Sequence, residues 1–289
     1  MDNTLLSIML GIGGMVGWGI YDFLGGVFAK GIGSFRTLFW SQLVGAVAIA
    51  LLALISAPVM PTPSMLWLWL PVAAGCYAAG YIFLFRGFAK GNITIVAATM
   101  NLWAVFTIIF AFVLMGQRLS STQSIGVVLI IVGATLAAVD VGNLGTQPLR
   151  LSLGVSDALI GALFFGVFWN ISELVSEQMG WLWSTLAIKV GVVVWLLVWT
   201  RWSGDAVRLG TTPPRTLATL ILMGIVELAA VACVNYGLTI GDAILITPIS
   251  SALSVVTILL AVLFLKERIT RWQTVGVAMA IGGIVTTAL

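Results

Sequence analysis

Trp18 and Asp22 lie four residues apart in a stretch with no other charge, and Trp169 and Glu173 repeat the pairing 151 positions later. Spacing of four puts both side chains on one face of a helix. An aromatic plate beside a carboxylate suits a small amphipathic cation: ring against ring, ammonium against acid. The structural alternative is an acid hydrogen-bonded between helices, but acids inside apolar segments usually face a cavity. "GCYAAGYIF" sets Tyr77 and Tyr81 at the same spacing, each with a ring and a hydroxyl to satisfy. Trp103 also falls well inside an apolar run, where its indole N–H needs a partner or a cavity wall. Asn101 and Ser251 are midspan polar residues 150 positions apart, suited either to a central space or to gluing helices. These nine residues form the candidate substrate-binding set.

Lys189 and Glu227 are of another kind. Each stands in the middle of its own apolar segment, where an unpaired charge costs several kcal/mol. The economical expectation is that they pair, as a structural strut or gate.

Catalysis finds little support. The chain has no histidine, which removes imidazole metal sites and every Ser/His or Cys/His nucleophile pair. Cys76 and Cys233 are isolated in apolar runs, and no G-x-x-x-x-G-K-[ST] phosphate loop occurs. The expectation is therefore no enzyme, no cofactor and no metal.

The elements that must position these residues follow from composition. Of 289 residues 61% are hydrophobic and 8% charged, with mean hydropathy +1.15, so most of the surface must face lipid. The net charge of +3 is carried on short loops and reads as membrane orientation rather than nucleic-acid binding. Windows apolar enough to span fall at about 6–28, 34–57, 65–88, 92–114, 121–140, 153–177, 180–200, 215–238, 243–265 and 270–289. The opening segment reads as an uncleaved first helix. Tryptophans at predicted helix ends (Trp67, Trp69, Trp181 and Trp183 on one side, Trp199, Trp202 and Trp272 on the other) read as interfacial anchors.

The chain is duplicated. At a constant offset of 150, Arg118, Gln123, Gly126, Ile131 and Gly133 recur as Arg268, Gln273, Gly276, Ile281 and Gly283. The expected division is a first five-helix repeat at 1–142, a connecting loop at 143–152 and a second repeat at 153–289. Five spans per repeat is odd, so equivalent loops fall on opposite sides. The cations agree: Lys30, Arg36, Arg86, Lys90, Arg150, Arg201, Arg208, Arg215, Lys266, Arg268 and Arg271 share one side, against Arg118 on the other. Lysine and arginine mark the cytoplasmic side, which places both termini outside. The fold expected is all-α, with ten transmembrane helices as two inverted-topology repeats around a central cavity. Inverted repeats characterise secondary transporters; a purely structural role would leave the inversion without evident purpose.

"KERITRWQTVG" (Lys266 to Gly276), with the glycine-spaced helix that follows, resembles the closing segment of an EamA-type repeat in the drug/metabolite transporter superfamily. Within it, "NLWAVFTIIFAFVLMGQR" (Asn101 to Arg118) resembles the YddG-type aromatic amino-acid exporters. Gln117 departs from the pattern, standing where Glu267 stands in the second copy. The resemblance implies ten helices around a cavity and export of aromatic or similar neutral amino acids across a bacterial inner membrane, without nucleotide hydrolysis. It also implies a small-molecule substrate and lipid as partners, and a monomer is expected. A proton-coupled exporter of cationic drugs is the alternative, with Asp22, Glu173 or Glu227 as the titrating acid.

Overall fold

The computed structural model describes residues 3–56, 59–62, 64–90, 96, 99–138, 154–210, 212–241, 243–266 and 270–287. The expected connector at 143–152, and Glu267 and Arg268 of the closing motif, lie outside the described residues. Among those described, every regular element is helical. In chain order they are α1 (Asn3–Ile32), α2 (Ser34–Ser56), a 3-10 turn (Met65–Leu68), α3 (Trp69–Lys90), α4 (Trp103–Leu114), α5 (Ser121–Ala138), α6 (Val155–Ser203), α7 (Pro214–Leu238), α8 (Ala243–Ser251), α9 (Leu253–Leu265) and α10 (Arg271–Thr287). Among the described residues, six helical stretches are long and apolar enough to cross a membrane, and α4 and α5 are shorter apolar helices.

The 49 residues of α6 would extend about 73 Å if straight, over twice the ~30 Å hydrocarbon core. They are not straight. Gly180 (φ 76°, ψ 157°) interrupts the helix with backbone angles that a side chain would resist. Ser176 Oγ and Ser184 Oγ meet at 2.9 Å, although eight residues of straight helix would separate them by about 12 Å. The chain therefore doubles back, and the windows expected at 153–177 and 180–200 are the two arms of one hairpin.

Local structure repeats at the 150-residue offset. Ser120 and Gln123 cap α5 reciprocally, the Ser120 N–H reaching Gln123 Oε1 at 3.0 Å and the Gln123 N–H reaching Ser120 Oγ at 3.1 Å. Thr270 and Gln273 do the same for α10, at 2.9 and 3.3 Å. Each satisfies amide donors that the first helical turn leaves open. This is the physical reason for the matched glutamines.

A second shared feature is a break. Between α8 and α9 the Ala252 N–H turns back to Ile249 O at 3.2 Å and the Val255 N–H to Ala252 O at 2.9 Å. These are tight i→i+3 bonds. Pro248, inside α8, also withholds a donor just upstream. At the equivalent place the Leu102 N–H reaches Thr99 O at 3.1 Å and the Ala104 N–H reaches Asn101 O at 3.3 Å, and α4 begins.

Glycines let helices approach closely and fix their sense. A Cβ on Gly126 would lie 2.8 Å from Gly283 O, and one on Gly133 would lie 2.7 Å from Gly276 O. Helices α5 and α10 therefore run antiparallel. Gly126 and Gly276 are repeat equivalents, as are Gly133 and Gly283, so the pair is self-complementary about a local two-fold axis across the helices. The surface is apolar and the interior partly polar. Ile55, Leu114 and Phe264 are 82%, 75% and 71% exposed, while Gln42, Lys189, Glu227, Asn235 and Thr247 are fully buried. That inversion of the soluble pattern is what a lipid solvent selects.

Candidate functional site

A cavity opens where α1, α3, the 100–103 segment, the first arm of α6 and α9 converge. Helix α1 contributes Trp18 and Asp22, α3 contributes Tyr77, Tyr81 and Leu84, and the segment at the α4 break contributes Met100, Asn101 and Trp103. Phe165 and Trp169 of α6 and Leu253 at the start of α9 complete the wall. Both repeats thus supply it, and the two breaks at Leu102 and Ala252 flank it. Paired interruptions at equivalent positions are a recurrent mark of transport sites.

Three indoles crowd one side. Trp18 lies 5.3 Å from Trp169 and 6.3 Å from Trp103 between ring centroids, and Trp103 lies 6.0 Å from Trp169. Tyr77 and Tyr81 pack edge-on at 4.9 Å, and Tyr81 meets Phe165 at 5.1 Å. The free volume left is about 50 Å³, room for a few waters. A ligand ring must displace one of these side chains.

Of the candidate binding residues, the structure brings Trp18, Asp22, Tyr77, Tyr81, Asn101, Trp103 and Trp169 together on this wall. Glu173 and Ser251 are not on it. Glu173 is buried and turned toward the amino end of α8, where Oε1 accepts the Ala243 N–H at 3.0 Å and Gln117 Nε2 at 2.7 Å. Gln117 Oε1 takes the next amide, from Ile244, at 3.3 Å. Carboxylate and glutamine together cap that helix, where the amides of the first turn attract negative charge. Ser251 is consumed locally, its Oγ donating to Pro248 O at 2.7 Å at the break. Asn101 Nδ2 donates to Ser254 Oγ at 3.3 Å.

The Lys189 ammonium lies against the Glu227 carboxylate, both side chains fully buried. Lys189 Nζ also donates to Gln42 Oε1 at 2.9 Å, and Tyr77 OH donates to Glu227 Oε1 at 2.7 Å. Tyr77 OH lies 3.4 Å from Tyr81 OH, so the ion pair is joined to the cavity wall by a hydroxyl chain. Tyr77 and Glu227 are repeat equivalents, 150 positions apart, and they touch. So do Trp18 and Trp169. Residues that meet their own equivalents lie close to a two-fold axis. At the cation-bearing end, Asp157 binds Lys90 at 2.7 Å and Arg86 at 3.5 Å.

Sequence reasoning missed Phe165, Leu84, Met100 and Leu253 on the wall, and Gln42 and Gln117 as partners of Lys189 and Glu173. Phe165 had a signal: it stands four residues before Trp169, on the same helical face. Gln42 and Gln117 had none, since their partners come from distant parts of the chain.

Comparison with known proteins agrees with this architecture. A solved protein structure with 17% sequence identity superposes with a TM-score of 0.79, covering 98% of each chain. An uncharacterized protein of Methanocaldococcus jannaschii is 26% identical over 131 residues, which is 45% of this chain but 93% of that protein. That relative is therefore about as long as one repeat. The EamA-like transporter family model matches twice, over residues 5–139 and 152–289. With nearly the whole chain covered in two successive copies, the protein belongs to the EamA-like transporter family.

Proposed function

We propose that the protein is a secondary transporter that exports small amphipathic metabolites, aromatic or other neutral amino acids in the first place, across a bacterial inner membrane by alternating access. The arrangement behind this reading is ten spans in two five-helix repeats, 1–142 and 153–289, inverted relative to one another, with both termini outside and a monomer as the working unit. One observation carries the reading. Repeat-equivalent residues meet at the cavity wall, Trp18 against Trp169 on it and Tyr77 against Glu227 just behind it, so the wall lies on the relation between the two halves. The antiparallel, self-complementary pairing of α5 with α10 supports an axis lying in the membrane plane. Two related bundles of opposite orientation can exchange conformations and open the same site to either side. An aromatic wall with one acid fits an apolar ring carrying an ammonium.

Asp22, an acid on the cavity wall, also favours a second reading, a proton-coupled exporter of cationic drugs. Reconstitution in liposomes with a panel of amino acids and a cationic dye, with and without a pH gradient, separates the two. Uptake of tryptophan and phenylalanine is expected. Accumulation of the dye with indifference to both amino acids overturns the leading reading.

A further inference from the structure

We infer that the cavity reads both poles of a zwitterion, Asp22 taking a protonated amine and the Trp18 indole N–H taking a carboxylate. The inference rests on the reading of this cavity as the transport site.

Two polar groups on the wall stand without partners. Trp18 is 5% exposed, and its Nε1 has no hydrogen-bond acceptor among the described residues. Asp22 has neither a hydrogen bond nor an ion pair among the described residues. A buried N–H left open is costly, and an intramembrane carboxylate without a counter-charge more so. Three of the polar side chains on or behind the wall are already engaged. Tyr77 OH is held by Glu227, Lys189 by Glu227 and Gln42, and Asn101 Nδ2 donates to Ser254. The described wall carries no lysine or arginine, and Arg86 and Lys90 are drawn to Asp157. What α1 offers a guest on this wall is thus one anion and one N–H donor.

They stand one helical turn apart on the same face of α1, a rise of about 5.4–6 Å. An ammonium and a carboxylate attached to one carbon, each adding a hydrogen bond of about 2.8 Å, span that distance. With both poles on α1, the ligand side chain falls against Trp103, Trp169 and Phe165, which asks for an aromatic or apolar group.

Three probes share one ring and differ only in their poles: tryptophan, tryptamine (no carboxylate) and indole-3-propionate (no amine). Initial uptake of each labelled compound is measured in proteoliposomes bearing wild type, Asp22→Asn or Trp18→Phe. Wild type should take up tryptophan about tenfold faster than either single-pole probe, as expected for charge-assisted hydrogen bonds. Asp22→Asn should depress tryptophan and tryptamine about tenfold and spare indole-3-propionate. Trp18→Phe should depress tryptophan and indole-3-propionate and spare tryptamine. Ratios within one preparation do not depend on how much protein is folded. For a variant that moves nothing, protection of the solubilised protein against thermal aggregation gives the same three-way ranking. Wild-type transport of tryptophan with an unchanged ranking in both variants overturns the pole assignment alone. Wild type that neither moves nor is protected by any of the three overturns the amino-acid reading with it.

Discussion

The Lys189–Glu227 pair allows a quantitative test. Both side chains are fully buried, and Glu227 serves two donors, the Lys189 ammonium and the Tyr77 hydroxyl, while Lys189 has Gln42 besides. Lys189→Met removes the cation and leaves a buried carboxylate with Tyr77 as its hydrogen-bond donor. Breaking a buried pair in this way costs about 3–5 kcal/mol. Glu227→Gln strands the ammonium, but its amide oxygen and Gln42 Oε1 can both still accept, so the cost falls at the low end, about 3 kcal/mol. In the double variant no charge remains. The surviving loss is a neutral hydrogen bond or two, about 1–2 kcal/mol. Two single costs summing to at least about 6 kcal/mol, against about 2 in the double, give a coupling of about 4 kcal/mol, well outside the additivity expected of independent sites. The assay is unfolding of detergent-solubilised protein by increasing denaturing detergent, with wild type, both singles and the double in parallel. A double variant no more stable than the worse single, or costs that simply add, refutes the view that these groups neutralise each other.

Other expectations follow from the same structure. Gly133→Ala places a Cβ 2.5 Å from Ala280 N and should cost about 1–3 kcal/mol by prising α5 from α10. Gly282→Ala, with nothing within 4 Å, should be neutral in the same titration, and equal effects would contradict the antiparallel packing. Glu173→Leu strips the Ala243 amide and Gln117 of their acceptor and should cost roughly 2–5 kcal/mol, whereas Asp22→Leu removes an acid without a partner among the described residues and should leave stability unchanged or raised. A loss on Asp22→Leu as large as that on Glu173→Leu would dispose of the distinction. Single cysteines at Asn3, Gly145 and Leu289, in a Cys76→Ser/Cys233→Ser background, should react with an impermeant thiol reagent from outside at the two ends and from inside at position 145. Reaction of all three from one compartment defeats the inverted arrangement.

The parts of this fold legible in the sequence are those written in short-range pattern or in exact recurrence. Apolar windows, a loop charge bias and a constant 150-residue offset are visible without coordinates, and the i, i+4 spacing of Trp18 with Asp22 and of Tyr77 with Tyr81 put each pair on one face. The hairpin at Gly180 was legible only as a gap between two windows, since no proline or cation marks it. The break at Ala252 had Pro248 to announce it, but its counterpart at Leu102 has alanine at the matching position 98 and so carried no signal. Glu173 and Ser251 were grouped with the ligand residues on their symmetry with Asp22 and Asn101. Symmetry of sequence does not fix which copy of a side chain is engaged, because partners such as Gln117 and the α8 amides come from far along the chain.

That asymmetry has a physical meaning. Trp18 and Trp169 obey the two-fold relation, meeting ring to ring, while the acids one turn beyond them do not. Glu173 closes on the amino end of α8 through Ala243 and Gln117; Asp22 lies on the cavity wall with no hydrogen bond or ion pair among the described residues. Two repeats with the same design thus hold different conformations at equivalent places. An alternating-access cycle built from inverted repeats requires such a difference, since each end state is reached by giving one repeat the conformation the other has released. In the proposed cycle, what each acid gains on engagement contributes to the free energy separating the states, so a ligand amine bound to Asp22 would bias the exchange directly.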